Sequence, residues 1–229
     1  MKIGVFTYDM PHRKTYDTLC LLKARGYQDI YIYGMPMHYK KKFAPLIEHR
    51  PSLPDGIISD IRVFCQNLGY SYKKLELGYE DVDLEVGSVI LVCGAGIIPQ
   101  KVIDKYTIIN SHPGYIPNVR GLDALKWAVF EGEPIGVTTH LLGDVVDAGR
   151  VIERKEVELC ENDTFHTVAQ RQYEMEIKML VDAIEKVDDE LLYVSEGDFV
   201  LHKRMGHSYE MELYDKFQKY LNKKLSEVN

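Results

Sequence analysis

Short apolar runs alternate with stretches of helical spacing through most of the chain. Residues 2–6 (KIGVF) predict a strand, and residues 16–27 (YDTLCLLKARGY) place leucines at helical intervals before Gly26 stops the helix. A second strand is predicted at residues 29–34 (DIYIYG), and an amphipathic helix at 57–70, ended by Gly69. Residues 88–96 (SVILVCGAG) are apolar almost throughout, the mark of a strand covered on both faces. Residues 106–112 (YTIINSH) predict another strand, 121–133 a helix, 135–143 a strand and 150–159 a more exposed strand. A long helix follows over residues 162–187, with Asp163 or Thr164 placed to cap it. A strand pair is expected around residues 191–194 and 198–204, then a helix with Leu213, Phe217, Tyr220 and Leu221 on one face.

This alternation predicts an α/β fold: a Rossmann-like, mostly parallel, doubly wound sheet with a short C-terminal extension. Residues 1–190 are expected to form the core, and residues 191–229 an extension packed on it or at a dimer contact. Residues 35–56 hold four prolines and read as a loop with at most one short helix.

Composition narrows the classes of function. The chain has 229 residues, 45% hydrophobic and 28% charged, which is globular. Its formal net charge of -7 argues against a general nucleic-acid binder, which must neutralise phosphates. The four cysteines are scattered without a CxxC pair, as expected of reduced thiols in the cytoplasm. No apolar stretch is long enough to span a bilayer, and the opening residues lack the pattern of a secretion signal. A cytoplasmic protein bound to neither membrane nor nucleic acid is the expectation.

Three segments carry candidate chemistry. Asn110 and His112 lie two apart at the end of a predicted strand, so both side chains can reach one ligand beyond the sheet. Asp147 follows the strand at 135–143 in a loop flanked by Gly143 and Gly149, where a carboxylate can orient a histidine and accept a proton. Residues 93–99 (CGAGIIP) contain GxG but lack the third glycine of a dinucleotide fingerprint. They read instead as exposed main chain for a flat ligand, with Ile97 and Ile98 as an apolar wall. Taken singly, each segment is also ordinary turn chemistry. The basic runs at His12, Arg13 and Lys14 and at Lys40, Lys41 and Lys42 can hold substrate phosphates or form a solvated face. His112, His140 and Asp147 lack the spacing of metal ligands, so no metal is expected.

Taken together, GAGIIP (94–99), NSHPGYIPNVRG (110–121) and GVTTHLLGDVVDAG (136–149) agree in residue type, order and spacing with one pattern. Here the chain resembles the folate-dependent formyltransferases, closely over residues 86–155. The resemblance implies 10-formyltetrahydrofolate as co-substrate and Asn110, His112 and Asp147 as the catalytic trio. It puts Gly96, Ile97, Ile98, Leu142 and Asp144 at the pterin pocket. The first strand is followed by no glycine-rich phosphate loop, and the residues after the core are too few, and the chain too acidic, for a basic C-terminal barrel to be expected. The chain is therefore most similar to the sugar N-formyltransferases, which act on a nucleotide-linked amino sugar. His12, Arg13, Lys14, Gly114, Tyr115 and Arg120 are the expected substrate-binding residues. The stretch Gly114-Tyr115-Ile116-Pro117 departs from the family's usual Ser-Leu-Leu-Pro and leaves the acceptor pocket's shape open. A formyl-folate hydrolase, a formyltransferase for another small amine and an idle folate-binding subunit are the competing readings. A homodimer contact through the C-terminal helix is expected to be available.

Overall fold

The computed structural model describes residues 2–37, 44–143, 149–189, 191–194 and 200–228. The first half of the sheet contains β1 (Ile3–Tyr8), β2 (Ile30–Met35), β3 (Ser71–Lys74), β4 (Val89–Val92) and β5 (Thr107–His112), with α1 (Arg13–Ala24), α2 (Ile61–Asn67) and the short α3 (Gln100–Ile103) in the connections. Beyond it come β6 (Arg120–Gly121), α4 (Ala124–Glu131), β7 (Gly136–Leu141), β8 (Gly149–Glu156) and α5 (Phe165–Lys186). The chain finishes with β9 (Leu192–Val194), β10 (Leu201–His202), α6 (His207–Glu210) and α7 (Leu213–Val228).

The eight-stranded sheet runs β3-β2-β1-β4-β5-β7-β8-β9. Its first five strands are parallel, and β7, β8 and β9 continue it antiparallel. This is the mostly parallel, Rossmann-like α/β arrangement that the alternating pattern predicts.

Period-two alternation sorts the strand residues onto two faces. Ile3, Val5, Val89, Leu91 and Ile109 face α1, α2 and α5, where Leu19, Leu22, Phe64, Leu180 and Ile184 complete one core. Phe6, Ile90 and Ile108 face the other way, onto Tyr79, Leu84, Ile98, Val102 and Tyr106. Asp60 caps α2 by accepting from the Arg62 N–H, and Thr164 caps α5 by accepting from the Thr167 N–H.

The C-terminal strands differ from expectation. The two segments do not pair with each other: β9 extends the main sheet beside β8, while β10 joins β6 in a separate parallel pair. The amphipathic face of α7 is buried as its pattern predicts. Leu213, Phe217, Tyr220 and Leu221 pack on Ala124, Leu125, Ala128 and Val129 of α4 and on Phe165. Beside them Lys126 and Glu210 form a fully buried ion pair, and Glu210 also accepts from the Leu46 N–H at 2.9 Å. No helix among the described residues is long and apolar enough to cross a membrane.

Candidate functional site

A cavity of about 1020 Å³ opens where β4 and β5 end. That is the edge where open α/β sheets receive ligands. Val92, Gly96, Ile97, Ile98, Ile103 and Leu142 give it an apolar wall. Ile97 is 96% exposed, a large apolar side chain left for something else to cover. Of the expected pterin-pocket residues, Gly96, Ile97, Ile98 and Leu142 therefore share one cavity, and Asp144 lies outside the described residues.

Asn110 and His112 line the same cavity from the end of β5. Asn110 stands opposite His140 in the antiparallel β5–β7 register, and its Nδ2 lies 3.3 Å from His140 Nε2. His140 Nδ1 lies 3.2 Å from the Leu141 carbonyl, which can only accept, so Nδ1 carries the proton. Nε2 then presents its lone pair to Asn110, which fixes the amide with its NH₂ end toward His140. One N–H of that group remains able to donate into the cavity. The β7–β8 register shifts between Thr139 and His140, an irregularity of the kind that re-aims a side chain beside a site.

His112 is buried, with Nε2 3.3 Å from the Val119 carbonyl. That oxygen also only accepts, so Nε2 is protonated and donates to it. The departure at residues 114–117 is explained by packing. A Cβ on Gly114 would lie 2.6 Å from His112 Nε2 and 2.7 Å from the Val119 oxygen, so the imidazole occupies the space a serine would need. The loop is pinned from β7 by Thr138, whose hydroxyl donates to the Gly114 carbonyl at 2.8 Å and accepts from the Ile116 N–H at 3.0 Å. Arg154 donates to the Ile116 carbonyl and lies over the Tyr115 ring. From α5, Gln172 donates to the carbonyls of Pro113 and Gly136. Gly114 and Tyr115 thus shape the backing of His112 and are not among the cavity's walls; Arg120, buried in β6, also does not line it.

The basic run after β1 is likewise placed behind the cavity wall. His12 meets the Thr15 hydroxyl at 3.1 Å; burial, aided by the charges of Lys14 and Arg50, pushes its pKa down to about 4. Arg13 is paired with Asp17 at 2.6 Å. Lys14 reaches through the core to Glu176, at 2.8 Å, and donates to the Ser111 carbonyl between Asn110 and His112 in sequence. The same Glu176 is paired with Arg50. Burial raises the Glu176 pKa, but Arg50 and Lys14 outweigh it and hold the carboxyl down at about 2. Lys40, Lys41, Lys42 and Asp147 lie outside the described residues.

Two walls were not anticipated from the sequence. His49 and Arg50 enter the cavity from the proline-rich loop, and residues 201–204 enter it from the C-terminal part of the chain. The latter are anchored by β10 pairing on β6, by the Leu122 N–H donating to the His202 carbonyl at 3.0 Å, and by Asp123. Asp123 sits at φ 54°, accepts from the Met205 N–H at 2.9 Å and meets Arg204 at 3.3 Å. Gly121, at φ 89°, has no room for a Cβ, which would fall 2.2 Å from the His202 oxygen. The basic HKR triplet at 202–204 was the available signal.

Residues 73–184 match the family model described as formyl transferase. Over this segment the chain resembles the folate-dependent formyltransferases, as its three motifs predict. It is 30% identical over 144 residues to the methionyl-tRNA formyltransferase of Fusobacterium nucleatum, covering 62% of this chain and 46% of that protein. It is 32% identical over 110 residues to the phosphoribosylglycinamide formyltransferase of Bacillus subtilis, covering 45% and 56%. The chain thus matches about half the length of these curated relatives. Among solved structures, the N-formyltransferase from Helicobacter canadensis, in complex with folinic acid and dTDP-3-aminofucose, superposes with a TM-score of 0.62. That match covers 98% of this chain and 82% of the other at 14% identity, a likeness of fold.

Proposed function

We propose that this chain is a 10-formyltetrahydrofolate-dependent N-formyltransferase acting on the amine of a nucleotide-linked amino sugar. The observation that carries this reading is the shared cavity: Asn110 and His112 stand together at the end of β5, beside an apolar wall with exposed main chain. A flat pterin suits that wall, and an oxyanion suits the Asn110 N–H beside the His112 ring.

In this reading a neutral amine attacks the formyl carbon held against Asn110. The N–H of Asn110 not directed at His140 donates to the developing oxyanion; the Nε2–H of His112 is held by the Val119 carbonyl, so the imidazole meets the reacting group through its Nδ1 edge. The tetrahedral intermediate collapses by breaking the carbon–N10 bond, and the proton lost by the attacking amine ends on the folate nitrogen. By resemblance, Asp147 relays that proton and orients His112. Gln172, Thr138 and Gly114 hold the loop that backs the imidazole, so the donor geometry is set before substrate arrives.

The acceptor class is supported by the fold neighbour bound to a nucleotide amino sugar and by the absence of a glycine-rich loop after β1. The test is to incubate the protein with 10-formyltetrahydrofolate and a panel of nucleotide-linked amino sugars and to read products by mass. The expected result is the gain of one formyl group on one of them. Formate release at full rate without any acceptor would instead identify a hydrolase, and product from no amino sugar would end the acceptor assignment.

A further inference from the structure

Three cations share the cavity with Asn110 and His112, and the folate reading gives them no task. Arg50, Lys203 and Arg204 line it from two segments far apart in sequence. In a chain of net charge -7, such a concentration needs a reason.

Each is held differently. Arg50 is paired with Glu176 and lies over the Tyr173 ring at 5.0 Å. Glu176 is shared with Lys14, so one carboxylate stands against two cations. Arg204 meets Asp123 at 3.3 Å, and Lys203 makes no ion pair among the described residues. Arg50 and Lys14 thus have one carboxylate, Glu176, between them. His49 lines the same wall. Burial first, then the charges of Lys126, Arg50 and Arg204, push its pKa down to about 3, so it is neutral near pH 7.

The backbone carrying Lys203 and Arg204 is fixed in advance. His202 pairs with Gly121 and stacks on Trp127 at 4.7 Å, and Trp127 Nε1 donates to the Lys203 carbonyl at 2.8 Å. Asp123 then holds the next residue, Met205. Cations on a preformed wall bind an anion without first ordering a loop. Two guanidinium forks and an ammonium suit the several oxygens of a diphosphate better than a single carboxylate.

We propose that Arg50, Lys203 and Arg204 form the phosphate subsite for the acceptor, taking the diphosphate of the nucleotide-linked amino sugar. This rests on the acceptor class proposed above, and it assigns that task to cations other than Arg13 and Lys14.

The experiment titrates dTDP and UDP into the wild-type protein and into Lys203→Glu and Arg50→Gln, with folinic acid titrated in parallel. Lys203 is exposed and outside the buried ion pairs, so its variant tests the subsite without disturbing the core. The expected result is that one nucleotide binds the wild type, that each variant binds it about tenfold or more weakly, and that folinic acid binds all three alike. Variants that bind the nucleotide as tightly as the wild type overturn the subsite and leave the acceptor class standing. A wild type that binds folinic acid but neither nucleotide overturns the acceptor class, and the subsite with it.

Discussion

Asn110 and His140 face each other across the antiparallel junction of the sheet, amide Nδ2 to imidazole Nε2 at 3.3 Å. The contact has a direction, because the Leu141 carbonyl takes the other imidazole N–H and leaves Asn110 as the donor. A fully buried histidine thereby decides which end of the asparagine amide meets it.

Replacing Asn110 removes a proposed oxyanion donor. Asn110→Ala is expected to lower kcat on the order of a hundredfold or more, with folinic acid affinity unchanged. Asn110→Asp is expected to do no better, since a carboxylate oxygen would confront the His140 lone pair. Single-turnover rates check this. A rate for Asn110→Ala within a few-fold of the wild type would remove the residue from the mechanism.

Gly114 is fixed by the ring it touches. Gly114→Ala places a methyl group within 2.6 Å of His112 Nε2, so either the imidazole or the loop must shift. The expected outcome is destabilisation by about 1–3 kcal/mol, as for other overpacked sites, and a larger fractional loss of kcat than of folate affinity. Denaturant melts and steady-state kinetics measure the two. A variant with unaltered turnover would show that the position of His112 is not critical.

The clamp at Asp123 separates charge from backbone geometry. Asp123→Asn keeps an oxygen for the Met205 N–H and tolerates the left-handed conformation, and loses only the Arg204 pair. Asp123→Ala loses both bonds and adds a conformational cost of about 1–2 kcal/mol. Alanine is therefore expected to lower Tm more than asparagine and to raise the acceptor KM while leaving the folate KM alone. Equal effects of the two variants would contradict the clamp.

Acid stability should depend on Glu176. Its folded-state pKa of about 2 lies below the ordinary value of 4.5. The stability it contributes is thus fully present above about pH 4.5 and is lost as pH falls from there through 2. His49 acts in the same sense at higher pH: held near 3 when folded against 6.5 otherwise, it favours the folded state above pH 6.5 and progressively less below. Glu176→Gln is expected to flatten the acid limb of a stability–pH profile. At pH 7 it should destabilise the fold by about 3–5 kcal/mol, because Lys14 and Arg50 lose their counter-charge. An acid limb as steep as the wild type's would exclude this account.

Much of the fold was legible where a segment carries enough pattern. The apolar run at 89–92 is buried on both faces, the long helix starts at a capped Thr164, and the face of α7 is buried at the four expected positions. Direction was not legible: β7 reads like any strand, and nothing in its residues announces that it runs antiparallel to β5. Very short strands carry too little pattern to choose a partner, which is why 191–194 and 201–202 were expected to pair and instead join different sheets. The polar edge strand β3 gave no apolar signal. Within the site, Asn110 and His112 stood out because both lie at one strand end. Arg50 did not, because Glu176, which anchors it, is distant in sequence, and the loop it sits in looked like punctuation.

The cavity also has an order of manufacture. Its apolar wall, Asn110 and His112 lie within residues 92–142, whereas the wall at 201–204 leaves the ribosome only after both large helical layers, α4 and α5, have been synthesised. A growing chain that has reached the end of α5 contains every residue of the proposed folate surface together with Asn110 and His112, yet lacks the wall at 201–204. Until β10 settles onto Gly121, a formyl group bound there would meet solvent in place of an amine. Premature truncation in this stretch would also strip α7 from the face of α4 and Glu210 from buried Lys126, so the open cavity and an uncovered core would appear together.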